Sequence, residues 1–461
     1  MAVTLIISLL IAAPLFNYLR THPNTEGRID ELKTPITAVF DSNFTPLLQN
    51  IIAGIKIIGI DGDWIVRYNI PHQPLLPPVM AVLFTIGLLF SIWTLITQIN
   101  TDKKKRSQSV FIRVISVPLF VAILWLLAGL APVLITGPEW SFTQAMGMQP
   151  VLYLFPALAL TWLGRWFTGR WERLYSIGVV GLFGLTAVIT YHNYFNIWAN
   201  DPAVRVQYES TMVTAMDWLN ASSLTTCHLP LATCNSIAIS TITPAQFHTP
   251  ALAQMTMHND DVTLHYFDAR ASILLADAVK STLILPGFTP INPMLERYWQ
   301  LATLTETLPL RPDDEDRPLD IYTIERSPTL AMWADQFTIE SEAGNDYLDF
   351  LGYDLQTKTV HAGDVAQIAT WWRVKRPLSQ ANLFTHIQGV DNIPIAQADR
   401  LDVPSESWQT GDYFIQLHTI PIPPETPTGR YPIALGLCQR NATDCARIGD
   451  LIQLQTEIKI E

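Results

Sequence analysis

Long apolar runs crowd the first 200 of the chain's 461 residues, whereas the remainder scatters Pro, Asp and Glu throughout. A helix needs about 20 apolar residues to cross a bilayer. Five stretches meet or approach that length: Met1–Tyr18, about Pro77–Thr97, about Val110–Thr136, about Gln149–Gly164 and about Leu174–Trp198. A buried helix of a soluble protein rarely runs so long without a charge. Charged residues make up 15% of the chain, below the roughly 25% of ordinary soluble domains. The expected fold is an α-helical polytopic membrane bundle of about five spans. A small α/β domain and a C-terminal antiparallel β-sandwich follow it.

Basic residues set the expected orientation, because cytoplasmic loops collect Lys and Arg. Lys103, Lys104, Lys105 and Arg106 separate the second and third runs, and Arg165, Arg170 and Arg173 separate the fourth and fifth. Both loops are expected inside. Loop 20–76, the short loop Gly137–Met148 and everything after Asn200 are then expected outside. This describes an integral, multi-pass plasma-membrane protein with an extracytoplasmic C-terminal region. Trp93, Trp125, Trp162, Trp166, Trp171 and Trp198 fall near the ends of the runs, as an aromatic belt would. Met1–Tyr18 could instead be a signal peptide, but it lacks a basic n-region and carries Pro14 after Ala12-Ala13. A spanning helix is the better reading.

Four cysteines lie in the expected outer region. Cys227 pairs in spacing with Cys234, and Cys438 with Cys445, which reads as two local disulfides in an oxidising compartment. Metal binding, with His228 beside the first pair, is the alternative. Asn43, Asn220 and Asn441 head N-x-S/T sequons, all in expected outer regions.

Function has little room inside the membrane. No charged residue lies near the centre of any apolar run, which argues against an ion-coupled transporter. A net charge of −12 argues against nucleic acid as a partner. The chemistry therefore falls to the outer segments. A connection as long as 20–76 usually carries function. Within it, Ile51–Ile60 is apolar but too short to span, and reads as a helix lying in the interface. Asp61, Asp63, Arg67 and His72 follow at once. Two carboxylates, a guanidinium and an imidazole at the membrane edge suit a phosphate-bearing lipid headgroup and a sugar. They equally suit a solvated turn closed by a salt bridge. The residues fix no cofactor, and a divalent metal stays open.

After Asn200 the pattern changes. Val204–Leu219 has helical spacing. Ser236–Ser240, Val262–Phe267 and Ser281–Leu285 read as short buried strands, without a Gly-rich phosphate loop after any of them. His248, His258 and His265 are dispersed, as surface or core residues are. Residues 326–336 read as a linker. From Phe337 strands recur at regular spacing with turn residues between, the pattern of a β-sandwich. Trp371, Trp372 and Trp408 could stack on sugar rings. Alternation sends Trp371 and Trp372 to opposite faces, so at least one belongs to the core. The expected domains are 1–200 with outer loop 20–76, 201–325, and 337–461.

The segments GDWIVRYNIPHQPLLPPVMAVLFTIGLLFS, APVLITGPEW…MGMQPVLYLFPAL and ITYHNYFNIWAN resemble the later membrane helices of bacterial GT-C glycosyltransferases. Glycosyltransferase family 39, the dolichyl-phosphate-mannose–protein mannosyltransferase type, is the family meant. Tyr191, Tyr194, Phe195, Trp198 and Ala199 carry the most specific part. The resemblance covers roughly residues 1–325. It implies a sugar taken from a polyprenyl-phosphate carrier and moved to an acceptor on the outer face. It also implies that this chain corresponds to the C-terminal part of such an enzyme. The usual catalytic acid of the first outer loop has no counterpart, and Asp61 and Asp63 lie in a different part of the pattern. By the same resemblance Arg28, Arg67 and His72 sit where the later loop approaches carrier phosphate or acceptor. The partners implied are the bilayer, the lipid-linked sugar and a catalytic N-terminal half or partner subunit. The alternative is a non-catalytic, membrane-anchored subunit that binds carbohydrate or protein.

Overall fold

The structure is a computed structural model that describes residues 13–14, 35–102, 109–136, 142–222, 233–243, 250–259, 262–389, 393–441 and 444–461. All but two residues of the first apolar run, Arg28, the Lys103–Arg106 cluster, Cys227, His228 and His248 lie outside the described residues. The chain divides into two compact units, Met1–Val204 and Arg205–Glu461.

The first unit is helical. Helix α1 spans Thr45–Lys56, α2 Pro78–Asp102, α3 Ser109–Thr136, α4 Leu154–Gly164 and α5 Arg170–Tyr191. Among the described residues, four segments are long and apolar enough to cross a membrane: Pro78–Thr97, Val117–Thr136, Thr143–Gly164 and Arg170–Asn200. Pro118 and Pro132 sit inside α3, where neighbouring helices and side chains in a membrane protein can re-satisfy the freed backbone. Helices α2 and α4 run side by side, with Phe84 against Phe155 and Phe90 against Trp162 at ring-centroid distances of 5.4 and 5.7 Å. Gly87 permits that approach, since a Cβ there would sit 1.9 Å from the Phe155 carbonyl oxygen. Helix α5 buries none of its side chains. Its apolar surface requires a non-aqueous surrounding, which a bilayer core supplies.

One expected outer loop is helical instead. Phe142–Met148 forms a 3-10 helix that leads through the single turn Gln149–Leu152 into α4. Trp125 donates its indole N–H to the Gly147 carbonyl at 2.8 Å, and the Thr136 hydroxyl donates to Gln144 at 2.6 Å. Ala145 and Met148 are buried. Small and apolar residues at this spacing let the segment pack on α3 and lengthen the third span.

The second unit begins within α6 (Pro202–Gln207) and continues with α7 (Ser210–Ala221), two helices where the periodicity suggested one. Glu209, in a left-handed conformation, separates them. Strands β1 (Thr233–Ser240), β2 (Leu264–Phe267), β3 (Ser272–Leu275), β4 (Ala278–Pro286), β5 (Thr303–Leu308) and β6 (Leu319–Glu325) follow, with α8 (Pro250–Thr256) between β1 and β2. They form a mixed sheet ordered β2-β1-β4-β6-β5, except that β3 lies elsewhere. Ile237 and Ile239 pack with Met212, Met216 and Leu219 of α7. Ala238, on the opposite face, joins the main core of the unit. Burial on both faces explains why these strands read as continuous apolar runs.

The β-sandwich supplies that other layer. Its strands are β7 (Thr338–Gly344), β8 (Leu348–Leu355), β9 (Thr359–Val360), β10 (Val365–Val374), β11 (Ala381–Gln388), β12 (Pro394–Asp399), β13 (Tyr413–Pro421), β14 (Gly429–Tyr431), β15 (Ile433–Arg440), β16 (Cys445–Gln453) and β17 (Ile458–Ile460). One sheet is β3-β13-β10-β8-β7, a second β12-β11-β15-β16, and a third, short one β14-β17-β9. Strand β3 therefore leaves the α/β region to pair with β13, Ile273 opposite Ile415. One apolar cluster runs from Leu283 and Trp333 to Trp372 and Ile433, so the two regions share a core.

Residues 326–336, read as a linker, form helix α9 (Arg326–Gln336). Trp333 anchors it, fully buried, with its indole N–H donated to the Tyr298 carbonyl at 2.9 Å. Trp371 and Trp372 do point to opposite faces, yet both are buried, as is Trp408. Trp371 packs on Trp333 and Phe337 beneath α9, while Trp372 packs on Phe350. The layer added by α9 closes the face that alternation alone left open. None of the three tryptophans offers a sugar platform.

Candidate functional site

Loop 57–77 begins where α1 ends. Residues Phe44, Leu48, Ile52 and Ile55 form an exposed apolar stripe at helical spacing, while Asn50 donates to the Ile135 carbonyl at the end of α3, 2.8 Å away. The chain then turns back on itself. Leu75 and Leu76 donate their amides to the carbonyls of Ile57 and Ile58, both at 3.0 Å. Further along, Gly62 donates to the His72 carbonyl at 3.1 Å and His72 to the Asp63 carbonyl at 2.7 Å. These four bonds clasp residues 63–72 into a closed loop. Gly62 is required, because a Cβ would lie 2.1 Å from the Gln73 carbonyl oxygen.

The clasp brings Asp61 and His72 together. Asp61 Oδ1 lies 3.1 Å from His72 Nδ1, and the two side chains remain 55% and 70% exposed. His72 holds a left-handed φ of 64°, a conformation uncommon for non-glycine residues and imposed here by the flanking backbone bonds. Asp63 differs completely from Asp61. It is buried and its Oδ1 accepts the Ile65 amide at 3.2 Å, so it braces the turn. The acidic pair of the sequence thus separates into one exposed carboxylate beside an imidazole and one structural carboxylate. Arg67, Trp64 and Tyr68 are exposed on the same loop.

The end of the last apolar helix reaches this loop. After α5 the backbone continues as a π-helix, His192–Ile197, and a 3-10 turn, Trp198–Asn200. π segments inside helices concentrate at functional sites. Trp198 stacks on Tyr194 with centroids 5.0 Å apart, and its indole N–H donates to the Val66 carbonyl at 2.7 Å. The sequence singled out these aromatics, but not their tie to the loop. No spacing could show it, because the partner is a backbone oxygen.

An exposed imidazole oriented by a carboxylate through one ring nitrogen leaves the other nitrogen free to take a proton from a hydroxyl. A metal has less to work with. Among the described residues no group of three or more His, Cys, Asp or Glu side chains could hold an ion. Asp61 and His72 alone make an incomplete ligand set.

In the second unit, Cys438 and Cys445 form a disulfide with Cα atoms 5.4 Å apart. It links β15 to β16. The partner of Cys234 in the expected pairing, Cys227, lies outside the described residues. His265 is buried and lies 3.1 Å from Asp412. That pair ties β2 to the sandwich rather than forming an open site.

No family model matches the chain, and no curated protein matches it. Among solved structures, the C-terminal domain of Wzt is similar over 27% of this chain and 81% of that one, at 13% identity and a TM-score of 0.21. A Niemann-Pick type C2 protein from Japanese carpenter ant is similar over 27% of this chain and 100% of that one, at 11% identity and a TM-score of 0.19. A Listeria innocua β-glucosidase mutant is similar over 26% of this chain and 17% of that one, at 11% identity and a TM-score of 0.16. Likenesses of this size assign neither a family nor a function.

Proposed function

We propose that this chain is a membrane glycosyltransferase, or the C-terminal part of one, that acts on a polyprenyl-phosphate-linked sugar at the outer ends of its apolar helices. The observation that carries the reading is the Asp61–His72 pair, 3.1 Å apart and exposed, on a loop tied by Val66 to Trp198 at the end of the last apolar helix. A lipid-linked sugar has an apolar tail, an anionic linkage and a hydroxyl-rich head. The apolar helices, exposed Arg67 and the Asp61–His72 pair answer those three parts in order. In this reading His72 accepts the proton of the acceptor hydroxyl and Asp61 positions the imidazole. Arg67 meets the carrier phosphate. Asp63 takes no part in the chemistry. The sequence resemblance to GT-C enzymes supports the same assignment, with the second unit outside the membrane.

The test is transfer of radiolabelled sugar from polyprenyl-phosphate donors in membranes containing the chain. Asp61→Asn and His72→Ala are expected to lower transfer about a hundredfold or more, the usual range for a lost acid–base group. Arg67→Ala is expected to raise the donor concentration needed. Transfer that is unaffected by both Asp61→Asn and His72→Ala would remove the loop from the chemistry. A correctly inserted chain with no transfer at all would favour the second reading, a membrane-anchored subunit that binds carbohydrate or protein beside a separate catalytic chain.

A further inference from the structure

The second unit contains a cavity of about 1060 Å³ where the edge strand β2 of the mixed sheet meets strands β11 and β12 of the sandwich. It does not involve loop 57–77 and does not depend on the transfer reading.

Its walls are held in place from within the protein. Asp402 is fully buried and is bonded by the Thr243 hydroxyl, by Gln416 Nε2 at 2.8 Å and by Arg400 Nε at 2.7 Å. The short 3-10 turn Ser405–Ser407 bridges the two sides. Ser405 Oγ accepts the Ala381 amide of β11 at 2.9 Å, and Ser407 Oγ accepts the Tyr266 amide of β2 at 3.3 Å. A cavity built this way is pre-formed, which lowers the ordering cost of filling it.

Two largely buried side chains that line it keep a hydrogen-bonding group without a protein partner. Asn382 is 6% exposed and Tyr266 is 5% exposed. Among the described residues neither the Asn382 amide nor the Tyr266 hydroxyl makes a side-chain hydrogen bond. Burial also pushes the Tyr266 phenol up to about 12, so it remains a neutral donor. An amide and a phenol on two side chains that line one preformed space are ready to bond whatever occupies it.

The charges around them nearly cancel. Arg400 is bonded to Asp402, and Asp399 lies 3.2 Å from His386. Glu406 accepts the Gln380 amide at 3.2 Å. The lining thus sets Arg400 and Arg440 against Asp399, Asp402 and Glu406, with apolar patches from Leu264, Leu401 and Pro404 between them. A cavity of this size lies just above the roughly 300–1,000 Å³ typical of small-ligand clefts, and so suits an extended ligand. We infer that the cavity between β2 and β11 binds a neutral, hydroxyl-rich chain, namely an oligosaccharide, through Asn382 and Tyr266. Hydroxyls satisfy an amide and a phenol, and the C–H faces of sugar rings cover the apolar patches.

The full chain in lipid nanodiscs would be examined by saturation-transfer NMR with neutral tri- to pentasaccharides of glucose, mannose, galactose and N-acetylglucosamine. At least one series is expected to bind. Asn382→Leu and Tyr266→Phe are each expected to weaken that binding about tenfold, the effect of one lost hydrogen bond to a preformed site. Neither side chain has an internal partner to lose, so both variants are expected to melt within a few degrees of the parent. Asp61→Asn is expected to leave the binding unchanged, which separates this site from the proposed transfer site. Absence of binding by every neutral series at 10 mM would overturn the inference. So would binding that survives both substitutions. Binding of sulfated oligosaccharides alone would also overturn it, by showing an anion site on Arg400 and Arg440.

Discussion

Trp198 donates its indole N–H to the carbonyl oxygen of Val66, a residue 132 positions earlier, at 2.7 Å. This bond fastens the end of the last apolar helix to the loop that carries Asp61 and His72. The ring also stacks on Tyr194 within the π segment, so helix end, aromatic cluster and loop form one mechanical element.

Trp198→Phe keeps an aromatic ring against Tyr194 but removes the donor. The loss should be about 1 kcal/mol, the net worth of one such bond. Hydrogen exchange of the loop amides, Gly62 and His72 above all, should quicken about fivefold while α2 and α4 keep their protection. Unchanged exchange in the loop would mean that the indole does not hold it.

Gly62→Ala should be far more damaging than its size suggests. The added methyl would sit 2.1 Å from the Gln73 carbonyl oxygen, a backbone atom that cannot swing aside. Relief requires opening the clasp, at a cost of about 2 kcal/mol or more, as for other overpacked sites. Thermal unfolding in detergent should report the loss, and sugar transfer should fall with it. An alanine variant as stable as the parent would refute the clasp.

His418 makes the second unit sensitive to acid. Burial lowers its ionisation from 6.5 to about 3, and its Nδ1 has no hydrogen-bond partner among the described residues. In the unfolded chain the imidazole protonates near 6.5. Between that value and about 3 the unfolded state therefore binds more protons, so stability rises with pH and is lost as pH falls. At pH 5 the loss is about 2 kcal/mol. His418→Asn should flatten this dependence. Denaturant titrations of both proteins at pH 7 and pH 5 check the difference, and parallel pH profiles would contradict it.

The Cys438–Cys445 disulfide closes a loop with a sequence separation of 7. A closure of that length restricts the unfolded chain by roughly 2–3 kcal/mol. Replacing both cysteines by serine should lower the stability of the second unit by that amount and leave the helical unit unaffected. Reduction by dithiothreitol should lower the stability of the parent by at least that amount.

Much of this architecture was legible before any coordinates. Apolar runs of membrane-spanning length mark Pro78–Thr97 and Arg170–Asn200, because a helix in lipid must be apolar all round. Short apolar and aromatic runs at regular spacing, with turn residues between them, mark β8, β10 and β13. The 326–336 segment was opaque for a physical reason. Its helix has no long apolar stripe, and what binds it is one tryptophan, Trp333, under a neighbouring turn. Strand β3 was equally opaque, since four buried residues carry no sign of which sheet they join.

At the candidate sites the division is sharper. The order of residues shows which groups could act: Asp61, Asp63, Arg67 and His72 within a dozen positions, and the aromatics from Tyr191 to Trp198. Folding is what leaves Asp61 exposed beside His72 and buries Asp63 in a turn. It alone made Asn382 and Tyr266 neighbours across one cavity. Hydrophobic pattern is a local property, repeated along the chain and therefore readable from it. Burial and hydrogen-bond satisfaction belong to pairs of groups far apart in sequence, and they exist only once the chain has closed on itself.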